Sequence, residues 1–106
     1  MRTQVKSNNW KDANDNPAGG CSFGNGFAIS WQNGPLGTGA DRKEPNGAFV
    51  EDVIVAALDR LKFYQESRFN CQENADAILA LEVALQHLNN RTSKRVIRQV
   101  EGTHSV

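Results

Sequence analysis

The 106-residue chain is long enough for one small domain with a modest core, so association with further copies would help to stabilise it. Its 12 basic and 12 acidic residues cancel, which leaves no overall field for nucleic acid or an anionic membrane surface, and any basic site has to be local. No apolar run approaches the roughly 18 residues of a membrane span and the N-terminus lacks the order of a signal peptide, so a cytoplasmic protein is expected. Cys21 and Cys71 suit that compartment as free thiols. Two cysteines without clustered histidines make neither a disulfide framework nor a zinc site, and no cofactor is called for.

Residues 1–22 read as a polar arm. Ser7, Asn8, Asn9, Asp12, Asn14, Asp15, Asn16 and Pro17 lead into Gly19-Gly20, a composition that favours turns over regular structure, with Trp10 as the one anchor. Residues 23–46 are a β-region, because Phe27, Ile29 and Trp31 alternate with Ala28, Ser30 and Gln32 at the period of two that presents one face to a core. Asn33-Gly34-Pro35 ends that strand, since Pro35 has no N–H for a ladder, and Gly37-Thr38-Gly39-Ala40 reads as a loop or short hairpin return. A two-stranded hairpin alone is marginal, so this region needs a partner surface.

Residues 47–104 are a helical hairpin and tail. The first helix is expected from Ala48, after an Asn46-Gly47 cap signal, to Glu66, with Phe49, Val50, Val53, Ile54, Ala57, Leu58 and Leu61 as its apolar face. Glu51 and Asp52 then fall in the first turn, where acids suit the helix dipole. The second helix is expected to open on a capping box, Asn70-x-x-Glu73, and to carry Ile78, Leu81, Ala84, Leu85 and Leu88 at three- and four-residue spacing. The short link between them makes the pair antiparallel. The expected fold is therefore α+β in a single domain: a small N-terminal antiparallel β-region followed by a two-helix antiparallel hairpin, oligomeric.

Little in the chain suggests catalysis. The segment from Gly34 to Gly39 lacks the Gly-Lys-Ser/Thr ending of a phosphate loop and is followed by Ala40-Asp41 rather than a helix start. His87 and His104 form no recognisable dyad with a serine or cysteine, and Cys71 reads better as a small buried packing residue than as a reactive thiol. The strongest chemical signal is the basic end of the second helix, where Arg91, Lys94, Arg95 and Arg98 fall within eight residues with no acid between them. Cations there complement a helix dipole, which accounts for Lys94. Four exceed that need, and arginine offers a planar fork for phosphate and a flat face for a purine. At the other end of the hairpin, Tyr64 can stack on a base or simply pack the tip. Asn74 can contact an adenine edge or ribose, or bond only backbone.

Tyr64-Gln65, Phe69-x-Cys71-x-Glu73-Asn74, Arg91-Thr92 and Val100-Glu101-Gly102-Thr103-His104 together resemble the helical-hairpin domain of phage anti-defence sponges. With the strand from Phe27 to Pro35 ahead of them, the chain is similar more specifically to the phage Thoeris anti-defence family over residues 26–104. The resemblance implies a non-catalytic phage protein in the cytoplasm of the infected bacterial host. It would sequester glycocyclic ADP-ribose made by TIR-domain enzymes, and in some relatives cyclic di- or trinucleotides at a second kind of site. It further implies assembly into dimers and hexamers, with neither nucleic acid nor membrane as partner. Carried over residue by residue, the stacking aromatic falls on Tyr64, where relatives usually have phenylalanine, the polar contact on Asn74 and the stacking or phosphate-binding arginine on Arg91. The polar arm has no matched counterpart.

Helix geometry adds a constraint. Asn74 and Arg91 are 17 residues apart, so about 1.5 Å of rise per residue separates them by roughly 25 Å on one helix, beyond the span of a small nucleotide. If two hairpins pack antiparallel, the tip of one lies beside the basic end of the other. Two equivalent sites per two-fold dimer are then expected, each built from both chains, with Glu101, Gly102 and Thr103 in a tail that acts as a lid and Arg95 and Arg98 either in that pocket or in a second one. The alternatives are a small scaffold or regulatory protein docking a partner helix or DNA, against which the neutral charge and absent helix-turn-helix spacing weigh, and an enzyme that cleaves the cyclic nucleotide.

Overall fold

The computed structural model describes residues 4–37 and 39–97. Along them run three strands, β1 (Lys6–Lys11), β2 (Pro17–Gly24) and β3 (Phe27–Trp31), a 3-10 turn at Gly39–Asp41, and two helices, α1 (Val50–Gln65) and α2 (Gln72–Ile97). They fall into two compact units that divide between Phe49 and Val50. The α+β class and the order of sheet before helices agree with the sequence reading.

The first unit is an antiparallel sheet of order β1-β2-β3. Its register places Ser22 between Ser7 and Ile29, and Cys21 between Asn8 and Ser30. Residues expected as an irregular arm thus form strands, a correction with a clear physical cause. The Asn/Asp cluster is turn chemistry, but it is confined to residues 12–16, where the Asp12 carboxylate accepts the amides of Asn14 (2.8 Å) and Asn16 (3.1 Å) and Asp15 adopts a left-handed φ of 64°. That turn reverses the chain, so the polar residues before it become an edge strand. An edge needs no apolar alternation, and Lys6 and Lys11 at its two ends discourage pairing with another chain. Trp10 lies over Gly19, where an added Cβ would stand 3.1 Å from the indole ring.

The interior of the sheet is held by a short polar relay. Ser22, 9% exposed, shares a hydrogen bond with Ser7 (2.8 Å) and accepts one from the Trp31 indole N–H (3.0 Å). Beyond Trp31 the chain loops out and returns to the edge of β3. Ala48 donates to the Ser30 carbonyl (2.8 Å) and accepts from the Gln32 amide (3.0 Å), a parallel bridge. The Asn46 side chain accepts the Asn33 amide (2.8 Å), and the Asn46 amide donates to the Gln32 side chain (2.9 Å). Asn46 therefore ties off the loop instead of capping a helix, and α1 begins at Val50, two residues later than expected.

The second unit is the hairpin. Lys62 pairs with Glu82 (3.6 Å) and Glu51 with Arg91 (3.9 Å), so α2 climbs as α1 descends and the helices are antiparallel. The facing stripe on α2 is the expected one, with Ile78, Leu81, Ala84, Leu85 and Leu88 all half-buried. On α1 the expected face is buried or half-buried at Val53, Ile54, Leu58 and Leu61, while Val50 and Ala57 are exposed, so the inner row is narrower than expected. Leu58, at 4% exposure, is the one fully buried hydrophobic residue among those described.

The turn joining the helices is organised by one side chain. Gln65 accepts the Cys71 amide (2.9 Å) and donates to the Cys71 carbonyl (3.1 Å), bridging the end of α1 to the start of α2. Ser67 donates to the Tyr64 carbonyl from both its amide and its hydroxyl. The Asn70 side chain donates to the Ser67 carbonyl (2.9 Å) and lies two residues ahead of the helix, outside the cap position, so the expected capping box does not form. Instead α2 opens at Gln72 with the Ala75 amide bonded to the Cys71 carbonyl. Cys71 is exposed there, contrary to the packing role expected of it.

Two outcomes follow from these contacts. A Cβ at Gly47 would stand 2.5 Å from the Trp31 carbonyl, so Gly47→Ala is expected to destabilise the β-unit by about 1–3 kcal/mol, read in thermal unfolding followed by tryptophan fluorescence. Gln65→Ala, which removes both ties to Cys71, is expected to cost about 1 kcal/mol in denaturant unfolding and to speed amide exchange at Cys71.

Candidate functional site

The hairpin tip gathers aromatic and basic side chains by helical spacing alone. Arg60, Phe63 and Tyr64 stand at i, i+3 and i+4 of α1 and so share a face. The Arg60 guanidinium carbon lies 4.9 Å from the Tyr64 ring centroid and 5.2 Å from that of Phe63, and its Nε–H donates to the Tyr64 hydroxyl at 3.2 Å. The two rings are 6.1 Å apart and tilted by 51°. In the turn, Arg68 lies 4.8 Å over the Phe69 ring. Phe63, Tyr64 and Phe69 keep 58%, 37% and 65% of their surface exposed, so each ring, although it carries a guanidinium, leaves apolar surface open to a planar ligand.

Asn74 enters the same region from the first turn of α2. It is half-buried, and its amide reaches back toward the Phe69 carbonyl at 3.5 Å, a long contact that leaves most of its bonding capacity for another partner. Tyr64 and Asn74 thus flank one turn, on opposite sides of the Gln65 to Cys71 tie. Arg60, Phe63 and Arg68 were not among the residues singled out from the sequence. The signal that could have found them is the i, i+3, i+4 spacing of one arginine before two aromatics.

The basic residues of α2 lie elsewhere. Arg91 is 61% exposed and 3.9 Å from the Glu51 carboxylate, near the first turn of α1, at the end of the hairpin away from the tip. Arg95 is half-buried one turn further on. Because α2 is continuous from Gln72 to Ile97, Asn74 and Arg91 are roughly 25 Å apart along it. The structure of one chain therefore brings Tyr64 and Asn74 to one turn and keeps Arg91 away from both. Arg98, Glu101, Gly102 and Thr103 lie outside the described residues.

A groove of about 440 Å³ runs between these two ends, lined by Val55, Asp59, Lys62, Glu82, Gln86 and Asn89 among others. It offers no ready anion site, because its lysine is paired with Glu82 and a second carboxylate, Asp59, stands in the wall. Among the described residues no group of histidine, cysteine and carboxylate side chains could hold a metal ion, and no helix is long and apolar enough to cross a membrane.

No protein-family profile matches the sequence. The chain is similar to the Thoeris anti-defense 1 protein of Bacillus phage SBSphiJ7, with 46% identity over 76 residues, which is 72% of this chain and 51% of that protein. It spans about half the length of that curated relative.

Proposed function

We propose that this is a phage anti-defence protein that binds and sequesters glycocyclic ADP-ribose, and in a further capacity cyclic oligonucleotides, without degrading them, so that Thoeris immunity stays off. The observation that carries the reading is the similarity to a Thoeris anti-defence protein. The tip agrees with it chemically. Exposed rings stack on a base, an amide meets its edge or the ribose, and arginines meet the pyrophosphate. A sponge requires affinity and no poised nucleophile.

The separation of Arg91 from Tyr64 and Asn74 supports a site completed by a second chain. In a two-fold dimer of antiparallel hairpins, the tip of one chain meets Arg91 of the other, giving two equivalent sites. The narrow buried row of the hairpin also favours association, because Val55, Leu79 and Val83 remain 40%, 62% and 44% exposed. Assembly beyond the dimer, to a hexamer, belongs to the same reading, with Arg95 and Arg98 assigned either to this pocket or to a second one and Glu101, Gly102 and Thr103 among the ligand-binding residues.

Calorimetric titration with glycocyclic ADP-ribose is expected to show one ligand per chain, and ligand recovered after denaturing the protein is expected intact; a linear product would mean hydrolysis, and no binding of this ligand or of cyclic trinucleotides would remove the sponge reading. Tyr64→Ala and Arg91→Ala are each expected to weaken binding about tenfold or more. Mixing the two variants tests the shared site directly. A mixed dimer holds one doubly altered and one intact site if the residues meet across chains, so some full-affinity binding returns on mixing. A site within one chain predicts none.

A further inference from the structure

Two cations of the hairpin meet an opposite charge across it. Lys62 is paired with Glu82 and Arg91 lies near Glu51. Arg60 is different. Its contacts among the described residues are two aromatic rings and one hydroxyl, at 4.9 Å, 5.2 Å and 3.2 Å, and no carboxylate neutralises it. The hydrogen bond uses Nε–H, so the two terminal amino groups, with four N–H donors, have no partner among the described residues.

An exposed arginine ordinarily samples many rotamers, and fixing it on a ligand costs conformational entropy. Here the cost is partly met before any ligand arrives, because the rings and the Tyr64 hydroxyl already hold the guanidinium. What results is an oriented cation with its planar fork open, beside a ring that keeps 37% of its surface exposed.

We infer that Arg60 is an anion-binding residue, taking a phosphate of the nucleotide whose base stacks on Tyr64. The inference rests on the proposed sponge function, and it gives the tip a phosphate ligand of its own. Stacking and charge would then come from one turn of one helix, Arg60 to Tyr64, with Arg91 of a second chain as a further contact at the opposite end of the ligand. Phe63 serves as the second wall that keeps the guanidinium in place.

The test is titration of glycocyclic ADP-ribose against the wild-type protein, Arg60→Met and Arg60→Lys, each at low and high salt. Arg60→Met keeps much of the side-chain length without charge and is expected to bind about tenfold or more weakly, with a flatter dependence on salt. Arg60→Lys keeps the charge but loses the fork, so intermediate affinity with the wild-type salt dependence is expected. Unchanged affinity in Arg60→Met overturns the inference while leaving the sponge function standing. So does weaker binding with an unchanged salt dependence, because that pattern marks Arg60 as a support for the ring only. If the wild-type protein binds no such ligand, both fall together.

Discussion

Two helices side by side cover one stripe on each other and leave the rest of their circumference to water. Here that stripe brings only Leu58 to full burial among the described residues, while Phe63, Leu79 and Val83 remain largely exposed on other faces. Such a pair gains little from its own core, and the entropy of ordering some forty helical residues needs more apolar burial than it supplies. Association is the ordinary remedy. Under the proposed function the same shortage has a use, because the second chain that completes the core also brings Arg91 to Tyr64 and Asn74.

The tip does not share this shortage, because polar bonds hold it. Gln65 grips both backbone groups of Cys71, and Ser67 and Asn70 satisfy the carbonyls and amides of the turn. Rings that protrude from a turn so braced can stay exposed without the turn losing its shape. Arg60 extends the same economy to charge, since it is held by aromatic faces rather than neutralised by an acid. A binding surface that is both hydrated and ordered pays little to rearrange when a ligand arrives.

Legibility in the sequence followed the range of the interactions. The helices were readable because three- and four-residue spacing is local, and the apolar row from Ile78 to Leu88 faces α1 as expected. Their starts were not, since Asn46 and Asn70 carry the residue type of a cap but are recruited by distant or preceding backbone groups. The strand from Phe27 to Trp31 showed its alternation. β1 did not, because an edge strand is fixed by backbone pairing to β2 and asks nothing of its side chains. The Asn25-Gly26 pair between β2 and β3, where Gly26 has φ 86°, was a readable hairpin signal that the alternation overshadowed.

For the candidate site, sequence by itself determined which residue types are present and how far apart a helix must hold them. It therefore separated Asn74 from Arg91, since helical rise is nearly invariant. Only the tertiary structure decided which cations are already neutralised. Glu51 and Glu82 reach Arg91 and Lys62 across the hairpin, whereas Arg60 is left to Tyr64 and Phe63. Charge pairing across the hairpin depends on the packing register of two helices, which no local pattern encodes. The grouping of Arg60 with Phe63 and Tyr64 is local to α1, but that no acid of α2 reaches it was decided only by the packing of the two helices.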